Sequence, residues 1–184
     1  LTVITPPLYA ACQAGSVKVV EVLLQAGANV NQAKQIQDTE QRFDTEIFCA
    51  APIFAACEAG SVEIVNALIK SNADLTATKK HQHRGLVHTP ALFVACEKGH
   101  EQIAEVLLEA AADVDREKEH CTDCNGFVKT PPIFVACQNA CYDARLVRIL
   151  IRAGANVDAQ QNDLDGNGNS YSWNSQGNNT SALF

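Results

Sequence analysis

The sequence contains no long apolar run. No stretch approaches the ~18–20 consecutive apolar residues that span a bilayer, and the first residues lack the basic start and apolar stretch of a signal peptide. Positive charge is also scarce, with 14 Lys and Arg against 21 Asp and Glu, for a formal net charge of −7. A phosphate backbone would find no basic stripe on such a chain. We therefore expect neither membrane insertion nor a nucleic-acid partner.

Signatures of catalysis are missing as well. The segment His100-Glu101-Gln102-Ile103-Ala104 begins like the helix motif of zinc proteases, but Ala104 stands where the second histidine is required. Ser16 and Ser61 are not part of a G-x-S-x-G elbow, and their position suits helix capping instead. No glycine-rich stretch leads into the Lys-Ser/Thr of a phosphate-binding loop. We expect no enzymatic activity.

A repeat organises the residues that are present. The chain has 184 residues, 47% of them apolar, which is enough for one packed domain. One phrase, aliphatic-aromatic-Ala/Val-Ala-Cys, ends at Cys12, Cys57, Cys96 and Cys137, at spacings of 45, 39 and 41 residues. Proline or alanine precedes each phrase, which suits the first turn of a helix, and glycine follows the first three. Each phrase therefore predicts a short helix.

A second helix is predicted in every unit. Apolar pairs recur with the spacing i, i+1, i+4 and i+5, first as Val19-Val20 with Leu23-Leu24 and again as Ile64-Val65 with Leu68-Ile69. These positions form one wide stripe on a helix. A single pair of short helices cannot cover such stripes, so neighbouring units must stack to complete the core.

Two recurring phrases resemble the ankyrin repeat family. Pro7-Leu8-Tyr9-Ala10-Ala11-Cys12-Gln13-Ala14-Gly15-Ser16 is similar to its P-L-H-x-A-A-x-x-G-H motif, and Leu23-Leu24-Gln25-Ala26-Gly27-Ala28-Asn29-Val30-Asn31 to its L-L-x-x-G-A-x-V-N motif. The resemblance implies a stack of helix-turn-helix units that recognises proteins. The predicted fold class is all-α: an ankyrin-repeat solenoid with extended hairpin or loop fingers.

The expected organisation is a single array over residues 1–184. The units run over about 5–49, 50–88, 89–129 and 130–179, with a truncated fifth unit at 180–184. Against a period of ~33 residues, the spacings leave additions of roughly 12, 6 and 8 residues between units, which we assign to the fingers. Because the chain ends within a repeat phrase, we expect it to be part of a longer protein.

The four repeat cysteines are expected to be small core residues. Adjacent units lie about one helix-packing distance apart, ~8–10 Å, which exceeds the reach of a disulfide. Free thiols in this pattern indicate a reducing, intracellular compartment, cytoplasmic or otherwise. Buried thiols without a partner histidine are inert, so no catalytic role is assigned to them.

Two finger segments contain residues that bind metals in other proteins, although no cofactor is required by the fold. Cys121 and Cys124, with His120 and one of His81, His83 or His88, offer thiolate and imidazole ligands for Zn²⁺. The alternative is a polar loop tip with incidental Cys and His residues.

The fourth finger resembles a calcium loop. Asp163, Asp165 and Asn167 stand at alternate positions before a glycine, as in the start of such a loop, but Asn174 occupies the place of the closing glutamate. The alternative is a flexible Asn/Gly/Ser-rich loop.

One modification site follows from the family resemblance. Ankyrin proteins can be substrates of an asparaginyl hydroxylase that acts on the asparagine of G-A-x-V-N, and Asn31 matches it, whereas Thr76, Asp115 and Asp158 occupy the counterpart positions. The alternative is a turn residue whose side chain binds nearby backbone.

Exposed positions define the predicted partner surface. They are the residues after the repeat cysteines and selected finger residues: Gln13, Glu58, Glu97, Lys98, Gln138, Phe43, Arg84, Tyr171 and Trp173. Glu58 and Glu97 would attract a basic patch on a protein or peptide, unless they are only a solvated helix face. We expect a protein–protein interaction module or scaffold; the alternative is a regulatory ankyrin domain that responds to Zn²⁺ or Ca²⁺.

Overall fold

A computed structural model describes residues 2–37, 47–82, 86–121, 127–139, 144–164, 170–173 and 179–180. Eight helices lie in these ranges and form four consecutive pairs: α1 (Pro7–Gln13) with α2 (Val17–Gln25), α3 (Pro52–Ala59) with α4 (Val62–Lys70), α5 (Ala91–Lys98) with α6 (Glu101–Glu109), and α7 (Pro132–Asn139) with α8 (Arg145–Arg152).

The helix pairs stack as the sequence predicts. The first helix of each unit packs on the first helix of the next, from α1 to α7, and the second helices stack in the same way from α2 to α8. We call the first helices the inner helices and the second ones the outer helices. Val20, Leu68 and Leu107 of the outer helices are fully buried in the shared core, which confirms that neighbouring units cover each other's apolar stripes.

Three of the repeat cysteines are core residues as expected. Cys12, Cys57 and Cys96 are fully buried, whereas Cys137 is exposed, so the expectation for the fourth thiol is wrong. Cys137 lies in α7, which packs on α5 but has no later inner helix beside it among the described residues. Burial of the repeat position therefore depends on a following inner helix, which Cys12, Cys57 and Cys96 have among the described residues. Along with Cys49, these four thiols are free.

The turns between the paired helices follow the predicted glycine pattern. Gly15, Gly60 and Gly99 adopt left-handed φ angles of 67°, 74° and 72°, a conformation that glycine reaches at little cost. Ser16 and Ser61 occupy the N-cap positions of the next helices, but neither side chain makes a capping hydrogen bond. The corresponding turn of unit four falls at 140–143, outside the described residues.

The segments between units are strands rather than isolated loops. Ten strands occur in the described part of the chain: β1 (Thr2–Ile4), β2 (Lys34–Gln37), β3 (Ile47–Ala50), β4 (Thr78–Gln82), β5 (Leu86–Pro90), β6 (Lys118–Cys121), β7 (Phe127–Thr130), β8 (Asn162–Leu164), β9 (Ser170–Trp173) and β10 (Asn179–Thr180). They form one sheet in sequence order, and every neighbouring pair is antiparallel.

The predicted all-α class is therefore wrong. The hairpin formed by β4 and β5 pairs with β3 on one side and with β6 on the other, so the fingers of successive units join into a continuous sheet. The spacing explains why. Two neighbouring strands occupy ~9.5 Å across a sheet, and packed helices lie ~8–10 Å apart. The width of a two-stranded finger therefore matches the distance between successive helix pairs. Open strand edges then meet, and their N–H and C=O groups pair.

The expected boundaries of the units remain a prediction. The described helix pairs fall inside the expected unit ranges, but the boundaries themselves are untested. No described helix is long and apolar enough to cross a membrane.

Candidate functional site

An open cleft runs between the sheet and the inner helices, and we call it the groove. Its volume is about 440 Å³, and its lining comes from strands β3 to β6 and helix α5: Phe48, Lys79, Val87, Thr89, Val94, Glu97, Lys118 and His120. No residue of an outer helix is among them. The sheet and the inner helices thus form two walls of one surface feature that neither element could make alone.

Strand register decides which finger residues face the groove. Phe48 stands opposite His81, His81 opposite Val87, and Val87 opposite His120. Opposed residues share one face of a sheet, and residues two apart along a strand share it as well. Lys79 and Lys118 therefore face the groove together with Phe48 and Val87. The first two fingers each carry one lysine and one large apolar residue at corresponding positions of the register: Lys34 with Phe48, and Lys79 with Val87.

Ion pairs join the two walls in units two and three. Lys79 Nζ on β4 donates to Glu58 Oε1 on α3. Lys118 Nζ on β6 lies 3.5 Å from Glu97 Oε1 on α5. The two pairs are equivalent, since each lysine follows its own glutamate by 21 residues. Glu58 and Glu97, which supported the expectation of a basic partner, are thus already neutralised within their own units.

The same lysines lie over aromatic rings. Lys79 Nζ is 5.4 Å from the centre of the Phe48 ring, and Lys118 Nζ is 5.1 Å from that of Phe93. In unit one, Lys34 Nζ lies 5.4 Å from the Tyr9 ring and 5.8 Å from the Phe48 ring. These distances permit a cation–π attraction of ~0.5–1 kcal/mol each at partly exposed sites. The rings hold the lysines at the base of the groove.

The opposite face of the sheet carries mainly polar and charged side chains at the corresponding positions. A second cleft of about 310 Å³ is lined there by Thr78, His88, Asp115, Arg116, Glu117 and Glu119. Thr78 Oγ1 lies 3.3 Å from His88 Nδ1, and Lys129 Nζ lies 3.2 Å from Glu119 Oε1. His88 stands opposite Glu119 in the register, on the face opposite to that of His120, which lines the groove.

Burial makes the repeat thiols unsuited to chemistry. Desolvation raises the pKa of Cys12, Cys57 and Cys96 to about 12, so these thiols stay protonated at neutral pH and are poor nucleophiles. Burial, followed by the charge of Glu58, also raises the pKa of Tyr9 to about 12. This agrees with the view that the phrase around each cysteine is structural.

The inner-helix part of the predicted partner surface is exposed. Glu97 lines the groove, and the others lie at or near the ends of inner helices: Gln13, Glu58, Lys98 and Gln138. Phe43 and Arg84 lie outside the described residues. Only the strand backbone is described for Tyr171 and Trp173. Partner contact at all nine positions stays a prediction.

Most of the predicted metal ligands lie outside the described residues or have only their backbone described. His83, Cys124, Asp165 and Asn167 lie outside the described residues, and only the backbone is described for His81, Cys121 and Asp163. Among the side chains that are described, no three His, Cys, Asp or Glu residues come together as a metal site. Binding of Zn²⁺ or Ca²⁺ stays a prediction.

Asn31 bridges two units, which sequence reasoning did not anticipate. Its Oδ1 accepts from the Asp74 backbone N–H at 2.9 Å, and its Nδ2 lies 3.5 Å from the Asn72 carbonyl. Asp115, at the counterpart position, accepts from the Asn156 N–H at 3.0 Å. Asn31 therefore acts as a cross-unit acceptor; its hydroxylation stays a prediction.

A repeated turn precedes each of these positions. Asn29, Asp74, Asp113 and Asn156 each accept from the backbone N–H two residues later, at 2.8–3.1 Å. The hydroxyl of Thr76 also donates to Asp74 at 2.7 Å. This side-chain bond, with the backbone bond, holds the pKa of Asp74 below its usual value. The turns fix where the chain leaves each outer helix and enters the sheet.

The groove lysines and Asn139 were missed from the sequence. Lys34, Lys79 and Lys118 each follow a repeat cysteine by 22 residues, and that regularity could have identified them. Asn139 Nδ2 donates across units to the carbonyls of Cys96 and Glu97, at 3.3 and 3.1 Å. No signal in the sequence indicates this contact.

The family is established by comparison with known proteins. A family model of three ankyrin repeats matches residues 34–118, and a single ankyrin-repeat model matches residues 6–35. The chain therefore belongs to the ankyrin repeat family. These matches end at residue 118, whereas the structure continues with a fourth helix pair, α7 and α8. A search of curated proteins found no match. Ankyrin repeats are generally protein–protein interaction modules and typically non-enzymatic.

Proposed function

We propose that this chain binds a protein partner by holding an extended peptide segment in the groove. The supporting observation is the groove itself: an open cleft of about 440 Å³ with apolar, cationic and anionic side chains on two rigid walls. Binding sites of this kind combine an apolar floor with a few fixed polar groups. The fully buried inner-helix residues beneath it keep the walls in place.

The repetition of similar positions along the groove favours an extended peptide as its ligand. Its lining residues come from units two and three and, with Phe48, from the first finger, and the pattern of lysine and aromatic ring continues to Lys34 and Tyr9 of unit one. A segment lying across the finger bases would therefore meet the same kind of position more than once. An extended peptide presents side chains at regular intervals and can use such a repeat, whereas a compact small molecule would fill only one position.

Panning a random-peptide library against the 184-residue chain tests this proposal. Glu97→Trp would place a bulky ring in the groove, and Glu105→Trp makes the same change on α6, away from it. We expect the enriched peptides to lose at least about tenfold in affinity for Glu97→Trp and to bind Glu105→Trp as they bind the parent chain. Circular dichroism shows that both variants fold. Equal affinity for the two variants would refute the groove as the binding site.

A further inference from the structure

Lys34, Lys79 and Lys118 lie along the groove, and we call them the lysine row. In units two and three the charge of the lysine is balanced by a glutamate, whereas in unit one no carboxylate of the described residues balances it. Gln13 occupies the position that Glu58 and Glu97 hold in the next two units, directly after the repeat cysteine. Lys34 occupies the position of the paired lysines. No carboxylate of the described residues lies within 4.0 Å of Lys34 Nζ. Among the described residues, unit one therefore has the cation of the pair without its anion.

The surroundings of Lys34 hold its ammonium group in place. Lys34 is half-buried, and its Nζ lies within 6 Å of the centres of both the Tyr9 and the Phe48 rings. Glu58 is close enough to Tyr9 to contribute to its raised pKa, but its carboxylate is held by Lys79. An ammonium fixed by two rings loses less side-chain entropy when it pairs than a freely moving surface lysine does.

The sheet supplies no acid to this face near Lys34. By register, Lys34, Lys79 and Lys118 lie on the groove face, whereas Lys80 lies on the opposite face with His88. No Asp or Glu occupies a groove-facing position in strands β2 to β6. The inner helices add the two glutamates that are already paired. Within the described part of the chain, three ammonium groups on this face thus share two carboxylates, and the unpaired one, Lys34, lies at the unit-one end.

We propose that Lys34 is the anchor for a carboxylate of an acidic segment in the partner. This inference rests on the proposed function and specifies the chemistry of the partner. A partner Asp or Glu oxygen would accept from Lys34 Nζ and complete the third Lys–carboxylate pair of the row. Apolar residues of the same segment would lie along Phe48 and Val87. The partner chemistry is the opposite of the basic patch expected from the unpaired glutamates.

Three fluorescein-labelled peptides of equal length, with repeating Glu-Val-Ser, Gln-Val-Ser and Lys-Val-Ser units, test this assignment by fluorescence anisotropy. A partly exposed ion pair contributes up to ~1 kcal/mol, and the held ammonium favours the upper end. We therefore expect the Glu peptide to bind about threefold to fivefold more tightly than the Gln peptide, with the Lys peptide weakest.

Two variants must abolish that preference. Lys34→Gln removes the cation, and Gln13→Glu supplies from within the unit the carboxylate that Glu58 and Glu97 supply in theirs. The matched control is Lys129→Gln, which makes the same charge change on the opposite face of the sheet and should leave the ratio of the Glu and Gln peptides unchanged.

The outcomes separate the two proposals. A ratio that persists in Lys34→Gln, tightest binding by the Lys peptide, or no measurable binding of the Glu peptide would overturn the acidic-partner assignment. If Glu97→Trp still lowers the affinity for the Gln peptide in that case, the groove remains the proposed binding site and only the preference for an acidic partner is refuted. If no bound peptide responds to Glu97→Trp, the groove itself fails as the site.

Discussion

Unit one and the two middle units carry nearly the same phrases but bury them differently. Val19 is 48% exposed, whereas its counterparts Ile64 and Ile103 are 0% and 1% exposed. Each unit covers the next, so the middle units have a neighbour on both sides and unit one has a described neighbour on one side only. In a repeat fold the same residue type therefore has a different energetic role at each place in the stack.

The difference extends to both ends of the described stack. Every exposed large apolar residue in the described ranges belongs to unit one, with the strand that precedes it, or to unit four: Val3, Ile4, Val19, Val22, Ile151 and Val157. The middle units expose none. Apolar repeat positions therefore predict burial only where another unit packs against them.

The largest expected effect tests this comparison in the core. Ile64→Ala should lower the free energy of unfolding by ~2–5 kcal/mol because it leaves a cavity in a fully buried site. Val19→Ala, at the corresponding place in unit one, should cost less than ~0.5 kcal/mol. Val20→Ala is the matched control: it removes the same atoms from the same helix at a buried position, and should cost about 2 kcal/mol. Urea denaturation followed by circular dichroism measures all three. Equal losses at Ile64 and Val19 would contradict the comparison.

An intermediate effect is expected at the interhelix turns. Gly15→Ala and Gly60→Ala both place a side chain at positive φ, which costs ~1–2 kcal/mol. A Cβ at Gly60 would also lie 2.9 Å from His100 Cε1 of the next unit, whereas one at Gly15 would meet nothing within 4 Å. We expect Gly60→Ala to cost a further ~0.5–1 kcal/mol as the ring shifts.

Thermal and urea denaturation of the turn variants measure this difference. Adding His100→Ala should remove the excess cost of Gly60→Ala and leave the backbone cost. If the excess survives in the double variant, the ring contact is not its cause.

The smallest expected effect concerns the boundary between units one and two. Asn31→Ala removes the acceptor for the Asp74 N–H and should lower the free energy of unfolding by ~0.5–1.5 kcal/mol. Asn31→Asp should remain close to the parent chain, because Asp115 accepts the equivalent bond two units later. Hydrogen exchange at the Asp74 amide measures the effect directly. Protection that is unchanged in Asn31→Ala would show that the cross-unit bond contributes nothing.

Local sequence determined the helical part of this protein. The Pro/Ala-to-Cys phrases and the glycines at the turns specify two short helices per unit through backbone preferences that act over a few residues. The apolar spacing of Val65 and Leu68 identifies the buried face, because helical periodicity is a local property. The family and its general role follow from these same phrases.

Tertiary structure alone decided the sheet and the groove. Strand edges can pair because the helix stack holds successive fingers ~9.5 Å apart. The all-α expectation did not include this pairing and was therefore wrong. The Lys118–Glu97 pair likewise joins residues that are 21 apart in the chain but on facing walls of the groove. Such contacts depend on how the helix and the strand of a unit pack together, and no single element contains that information.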